Sequence, residues 1–177
     1  MGSAVDLHGR FEIKPPLDKD QVEYLKQFAA SRRMKRDPKR TEDLEDPLRK
    51  AVGLPLGIDC EYYVGQPDYM DSQETVTDYN VEPGDQPDVW CGWTAFDDGT
   101  HLVHDGSEKF GKFKEWLEYM IKHFFEPWGR KLNGSVLWSI QYGKYTGILK
   151  VQDNVIHEGA TFVRTPDALA EESREGK

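Results

Sequence analysis

The chain has 177 residues, of which 37% are hydrophobic and 12% aromatic, and its net charge is −9 at pH 7. This size fits one domain of about 100–150 residues with tails, and the acidic balance excludes a protein whose whole surface binds nucleic acid. The chain contains no apolar run of the roughly 18 residues that span a bilayer, and its start lacks the apolar core of a signal peptide. We therefore expect a cytoplasmic protein without a membrane association.

The first part of the chain predicts a strand followed by a helix. Residues 7–17 alternate between apolar and polar side chains and reach a proline pair, which is typical of a strand that stops there. Asp18 and Gln21 form a capping-box pattern that predicts the start of a helix. The basic residues 32–36 are expected at the C-terminus of this helix, where cations complement the helix dipole. Pro38 is expected to end it.

Residues 39–88 form a long acidic region without a sustained hydrophobic period. The spacing of Leu44, Leu48 and Val52 predicts a short helical turn, and residues 61–64 predict a short strand. A loop of this length inside a compact domain is typically functional or partly disordered.

The second half of the chain predicts a hairpin, a helix and three further strands. A turn at residues 97–99 separates the two hairpin strands. An apolar face from Phe110 to Phe124 predicts a helix that Ser107 caps. Strands are predicted at residues 89–96, 101–105, 135–142, 147–151 and 155–158.

This order of elements predicts an α+β fold, with an antiparallel sheet of about five or six strands and two helices on one face. The nearest named topology is a ferredoxin-like or split β-α-β order. We expect residues 1–165 to form a single domain that includes the long acidic loop region 39–88. Residues 166–177 are expected to be a polar C-terminal tail.

Three sequence blocks carry a recognisable pattern, which GILKVQDNVI at 147–156 continues. They are FEIKPPL…VEYLKQFAASRRMKRD at 11–37, DYN…PGDQPDVWCGW at 78–93 and EWLEYMIKHFFEPWGRKLNGSVLW at 115–138. Together they resemble an uncharacterised group of small proteins from bacteria, notably actinobacteria, and their phages. In that group the strand after LNG usually reads WQGED with further acids, whereas here it reads WSIQYGKYT. The resemblance implies a shared fold and fits a regulatory or phage–host conflict role, but it implies no mechanism.

Charge is segregated along the chain. Residues 51–108 contain 13 aspartates and glutamates and no lysine or arginine, and we refer to them as the acidic segment. Tyrosines, which are common interface anchors, interleave with these acids. The leading hypothesis is a small binding protein that uses the tyrosine-bearing part of this stretch, residues 58–88, to contact a cationic protein partner, and the other reading is a solvated loop. The candidate contact residues are Tyr62, Tyr63, Asp68, Tyr69, Asp71, Asp78 and Tyr79.

A basic run lies just upstream, with six lysines and arginines among residues 32–40. Its candidate anion-binding residues are Arg32, Arg33, Lys35 and Arg36, because lysine and arginine neutralise phosphate charge. The alternative hypothesis is therefore a nucleic-acid or nucleotide-binding module. The other reading of the run is structural: it caps the helix and faces the acidic segment of its own chain.

Catalytic chemistry has little support in the sequence. Phosphate-loop, dinucleotide, zinc-protease and nucleophile-elbow motifs are absent, so we predict no catalytic residue, cofactor or metal. A third hypothesis, a small enzyme, would require a deep pocket that gathers His104, Asp105 and a tyrosine. His123 is expected near the C-terminus of the second helix, where imidazolium is stabilised without any catalysis. Trp90 is expected in the core, and the alternative is an exposed surface that stacks bases or sugars.

Overall fold

The structure, a computed structural model, describes residues 4–66 and 73–157. Its centre is a six-stranded antiparallel sheet with the spatial order β4-β5-β1-β6-β7-β8. The strands of this sheet are β1 Val5–Lys14, β4 Trp93–Ala95, β5 His101–His104, β6 Lys131–Ile140, β7 Tyr145–Gln152 and β8 Val155–His157. Two short strands, β2 Lys35–Arg36 and β3 Val76–Asp78, form a separate antiparallel ladder. The α+β class and the six-stranded antiparallel sheet are confirmed.

The ferredoxin-like or split β-α-β order is not confirmed. The long central strand β1 pairs with both β5 and β6, and both pairings are antiparallel. A β-α-β unit joins parallel strands through a crossover, and the pairings within the described sheet are all antiparallel. Helix α1 therefore leads out of the sheet rather than across it to a parallel neighbour.

Four α-helices accompany the strands in the described part of the chain: α1 Lys19–Ala30, α2 Pro38–Thr41, α3 Pro47–Ala51 and α4 Phe113–Met120. A π-helical turn, Ile121–Phe125, continues α4. The capping box of α1 forms as expected, since Gln21 N donates to Asp18 Oδ1 at 2.8 Å and Asp18 N donates to Gln21 Oε1 at 3.0 Å. Helix α3 lies within the span predicted to make a helical turn.

The expected place of the basic run is wrong. Helix α1 ends at Ala30, and Ser31 adopts an extended conformation. The run then becomes extended because its backbone bonds to the acidic segment: Arg33 N donates to Val89 O at 2.7 Å and Lys35 N donates to Val81 O at 3.0 Å. The cations therefore do not cap the helix, but they lie against the acidic segment, which is the second part of the structural reading.

Two other local predictions are also wrong. Residues 61–64 are not a strand, because they follow a 3-10 turn at Ile58–Cys60 and continue as turn and irregular backbone. Helix α4 does not begin near Ser107, whose backbone N–H instead donates to Asp105 Oδ1 at 2.8 Å in a local turn. In both places a short-range turn replaces the periodic structure that the apolar residues favoured.

One hydrophobic cluster joins α1 and α4 to a single face of the sheet. Trp116 of α4 is fully buried and its ring lies 5.7 Å from the Phe28 ring of α1, in a T-shaped arrangement. The sheet contributes alternating residues to this cluster, namely Phe11, Ile13, Leu132, Val136, Leu149 and Val151. The opposite sheet face carries the exposed residues Leu137 and Ile148. Within the described ranges, no helix has the length and apolar character to cross a membrane.

Candidate functional site

The predicted contact residues of the acidic segment divide between different places. Asp78 and Tyr79 are exposed, Tyr62 is half-buried, and Tyr63 is buried. Asp68, Tyr69 and Asp71 lie outside the described residues. Tyr62 faces the half-buried His123 and Tyr79 stacks against an arginine, so the four described residues do not present one continuous acidic face.

The basic run is partly inside the protein. Arg33 and Arg36 are each only 3% exposed. Arg33 donates to the carbonyl oxygens of Tyr63 at 2.5 Å and Glu61 at 3.4 Å. Arg36 donates to Thr75 Oγ1 at 2.7 Å, and its guanidinium lies 4.6 Å from the centroid of the Tyr63 ring. These two cations therefore hold the acidic segment in place, mainly through carbonyls and rings.

Arg32 and Lys35 are the half-exposed members of the predicted anion site. The Arg32 guanidinium lies 4.1 Å from the centroid of the Tyr79 ring, and its Nε donates to Tyr79 O at 3.2 Å. Lys35 Nζ lies 3.9 Å from Asp59 Oδ2. Both contacts attach the run to residues of the acidic segment.

Trp90 lies at the surface, contrary to the expectation that it is a core residue. Strand β4 begins only at Trp93, so the inward–outward alternation of a strand does not extend back to Trp90. Trp90 is 48% exposed and lines two pockets. The first has a volume of about 310 Å³, and Arg32, Tyr79 and Trp90 are among its lining residues.

The second pocket is also lined by Trp90 and has a volume of about 230 Å³. Asp88 and Asp105 line it together with Lys109. We refer to Trp90 with Arg32, Tyr79, Asp88 and Asp105 as the Trp90 surface. It combines an exposed aromatic residue with a cation in one pocket and two carboxylates in the other.

The predicted enzyme pocket does not form among the described residues. His104 Nε2 lies 3.8 Å from Asp105 Oδ1, but the imidazole ring stacks on Phe110 with 5.8 Å between the ring centroids. The described residues that line the pocket beside Asp105 include no tyrosine. The arrangement therefore lacks the third group that the enzyme hypothesis required.

A second polar cluster lies between the acidic segment and α4. We refer to Glu61, Tyr62, Asp85, Tyr119 and His123 as the polar centre. Glu61 and Tyr62 follow the 3-10 turn, Asp85 lies between β3 and β4, and Tyr119 lies in α4. His123 lies in the π-helical turn that continues α4. Such turns are rare and occur frequently at functional sites.

Hydrogen bonds fix both ends of the polar centre. Tyr119 Oη donates to Glu61 Oε1 at 2.8 Å. His123 Nδ1 lies 2.5 Å from Tyr62 Oη and 3.8 Å from Glu61 Oε1, while its Nε2 lies 3.2 Å from Asp85 Oδ1. The imidazole also stacks on the Tyr119 ring, with 4.0 Å between the ring centroids. The histidine is thus held between two carboxylates.

Burial keeps the two phenols of the polar centre neutral. Burial, together with the negative charges of Glu61 and Asp85, raises the pKa of Tyr62 to about 12. Burial also raises the pKa of Tyr119 well above its ordinary value, although a hydrogen bond with Gln86 opposes this shift. Both hydroxyl groups therefore keep their protons at neutral pH and are available as hydrogen-bond donors.

The backbone around Glu61 is tightly constrained. Asp59 and Cys60 have positive φ angles of 54° and 64°, which cost non-glycine residues about 1–3 kcal/mol each. Gly84 has a φ of +57°, and a Cβ there would lie 2.9 Å from Glu61 Oε2. The strained backbone at Asp59 and Cys60 therefore directs the Glu61 side chain inward, and the loop that contains Gly84 packs against this side chain.

The sequence contains no spacing signal for the polar centre, because its residues come from three distant segments. The expected position of His123 near the C-terminal end of its helix is confirmed, but its partners Glu61 and Asp85 belong to a region without periodicity.

Comparison with known proteins assigns no relative: no protein-family profile, curated protein or solved structure matches the chain.

Proposed function

We propose that the protein is a small binding protein whose Trp90 surface contacts a cationic segment of a protein partner. The observation that carries this proposal is the 48% exposure of Trp90, which lines two pockets. Tryptophan is enriched among the residues that dominate interface energetics. An exposed indole that lines pockets together with polar residues can contact a side chain of a partner.

The second pocket favours a lysine or arginine of the partner. A cation there would meet the Trp90 ring and the carboxylates of Asp88 and Asp105. A cation–π contact contributes about 0.5–2 kcal/mol, with the larger values in desolvated sites. The cation-free segment 51–108 and the net charge of −9 add long-range attraction. Lys109 lines the same pocket and opposes the incoming charge.

A nucleotide or nucleic-acid ligand is the second candidate, and the first pocket favours it. Its volume of about 310 Å³ is at the lower end of the roughly 300–1,000 Å³ typical of small-molecule sites. A base could stack on Trp90 while Arg32 contacts a phosphate. We rank this candidate second because Arg33 and Arg36 are committed to structural contacts and the neighbouring pocket is acidic. A regulatory or phage–host conflict role rests on the sequence resemblance alone.

A peptide-display selection on the full chain tests the first candidate. We expect the enriched peptides to carry lysine or arginine next to apolar residues, and their affinity to fall as salt concentration rises. Fluorescence anisotropy with one enriched peptide then compares the wild type with Trp90→Ala and with the double variant Asp88→Asn/Asp105→Asn, which should both bind weakly. Lys109→Gln should bind more tightly.

Leu137→Ala is the matched control. Leu137 is exposed like Trp90, at 53%, but it lies in strand β6 and is not part of the Trp90 surface. It should bind the peptide as the wild type does. Enriched peptides that are neutral or acidic, or that bind Trp90→Ala undiminished, would contradict the first candidate. Titration with ATP and with an oligothymidine tests the second, since Arg32→Gln should then abolish binding.

A further inference from the structure

We propose that Glu61, Asp85 and His123 of the polar centre bind one divalent transition-metal ion, and that Zn²⁺ suits them best. Each residue offers one ligand atom, and these atoms all lie within 4.8 Å of one another. An imidazole with two carboxylates is a ligand set that zinc accepts, whereas Mg²⁺ and Ca²⁺ prefer oxygen ligands alone. This site is separate from the Trp90 surface and does not depend on the proposed function.

The contact between His123 and Asp85 has the geometry of two ligands rather than of a hydrogen bond. His123 Nε2 lies 3.2 Å from Asp85 Oδ1, yet Nε2 is buried and has no hydrogen-bond partner within the described structure. A hydrogen bond requires the acceptor near the N–H axis. A metal on that axis instead leaves the second ligand to one side, about 3–3.5 Å away when both bonds are about 2.0–2.2 Å long.

Glu61 supplies a buried negative charge that a metal would neutralise. Its side chain is 5% exposed, and in the part of the chain that the structure describes its ion-pair partner is His123, which is charged only when protonated. A buried carboxylate carries a large desolvation cost that hydrogen bonds and a nearby cation compensate. Gln86 Oε1 is a second buried atom without a hydrogen-bond partner among the described residues, while the amide nitrogen of Gln86 donates to Glu61 O and Tyr119 Oη.

The residues around the three ligands also match a metal site. Metal-bound histidines usually donate their second ring N–H to an oxygen, and Tyr62 Oη lies 2.5 Å from His123 Nδ1. When Nδ1 carries the proton, the Nε2 lone pair is free for the metal. Tyr119 Oη and the backbone N–H of Ile58 orient the two Glu61 oxygens.

Asp85 gives the site access to solvent and the freedom to close. Its side chain is 59% exposed, so it can rotate towards an arriving ion while Glu61 and His123 stay in place. Lys122 Nζ lies 3.7 Å from Asp85 Oδ2 and competes with the metal for this carboxylate. Binding should therefore become tighter when Lys122 loses its charge.

Isothermal titration of the full chain with ZnCl₂ after chelator treatment tests the proposal. We expect one ion per chain and a higher melting temperature in its presence. Asp85→Asn should weaken binding at least about tenfold, an effect as large as losing an outer-shell partner of a metal site. Asp85 is exposed, so this variant should fold, and circular dichroism checks that it does. Lys122→Gln should bind more tightly than the wild type.

Asp88→Asn is the matched control, because Asp88 is an exposed acid three residues away and outside the ligand set. It should bind Zn²⁺ as the wild type does. Three results would overturn the proposal: no saturable binding of Zn²⁺, equal affinity of Asp85→Asn and Asp88→Asn, or binding that persists unchanged in His123→Gln. Any of them would reduce the cluster to an ordinary histidine–carboxylate ion pair.

Discussion

Replacing Arg33 by methionine should destabilise the fold far more than the same change at its neighbour Arg32. Arg33 is 3% exposed and donates to the carbonyls of Tyr63 and Glu61 and to the Ser31 hydroxyl at 3.1 Å. Methionine keeps an unbranched apolar stem but removes the guanidinium group, and with it the charge and all of the donors. Arg32 is half-exposed and makes its contacts with Tyr79 at the surface.

The magnitude follows from the bonds that are lost. Hydrogen bonds to charged groups contribute about 1.5–3 kcal/mol, and a buried acceptor left without a partner costs about 1–3 kcal/mol. The Tyr63 carbonyl would lose its 2.5 Å contact with Arg33, whereas the Glu61 carbonyl keeps the Gln86 amide at 2.7 Å. We therefore expect Arg33→Met to lower the free energy of unfolding by about 2–5 kcal/mol. Arg32→Met should lower it by about 1 kcal/mol or less.

Urea unfolding followed by tryptophan fluorescence measures both variants. A difference of about 3 kcal/mol corresponds to a melting temperature about 6–12 °C lower for a chain of this size. The variants should differ in midpoint while keeping the same slope. Equal destabilisation of Arg33→Met and Arg32→Met would refute the conclusion that the basic run is a buried structural element.

Two further predictions concern stability. Asp46→Asn should lower the free energy of unfolding by about 2–4 kcal/mol, because this buried carboxylate accepts from Gly65 N at 3.0 Å and pairs with Arg49 Nε at 2.5 Å. The control is Asp43→Asn, since Asp43 is exposed. Equal urea midpoints of the two variants would argue against the role of Asp46. Burial raises the pKa of the Cys91 thiol from 9.0 to about 12, so the folded state favours the neutral thiol. The neutral Cys91 thiol therefore contributes its full share of the free energy of unfolding below pH 9. That share is lost as the pH rises towards 12, because the thiol ionises in the unfolded chain first. Urea midpoints measured from pH 8 to 11 should fall, and Cys91→Ala should fall less; identical pH profiles would contradict this.

Local signals explain which parts of the fold were predictable. The capping box at Asp18 depends on residues three positions apart, and the apolar face of α4 repeats within a few turns. The main sheet strands also follow from alternation within each segment. The burial of Arg33 depends instead on carbonyl groups about 30 residues away along the chain. The positive charge of the basic run therefore made Arg33 a candidate anion-binding residue in the sequence.

The two candidate sites depend on contacts that the sequence does not display. Trp90 is exposed because β4 begins three residues later, and strand boundaries are set by pairing partners rather than by the residue itself. His123 approaches Glu61 because a π-helical turn, positive φ angles at Asp59 and Cys60, and a loop through Gly84 converge there. A periodic pattern reveals none of these irregular features.

The most direct test of the Trp90 surface is an NMR titration that follows the indole N–H signals of the five tryptophans. The probe is a lysine- or arginine-rich peptide from the display selection, added to the full chain. We predict that the Trp90 signal shifts with saturation, while the signals of Trp93 and Trp116, which are fully buried, stay in place. A bound peptide that leaves the Trp90 signal unmoved would contradict the proposed function.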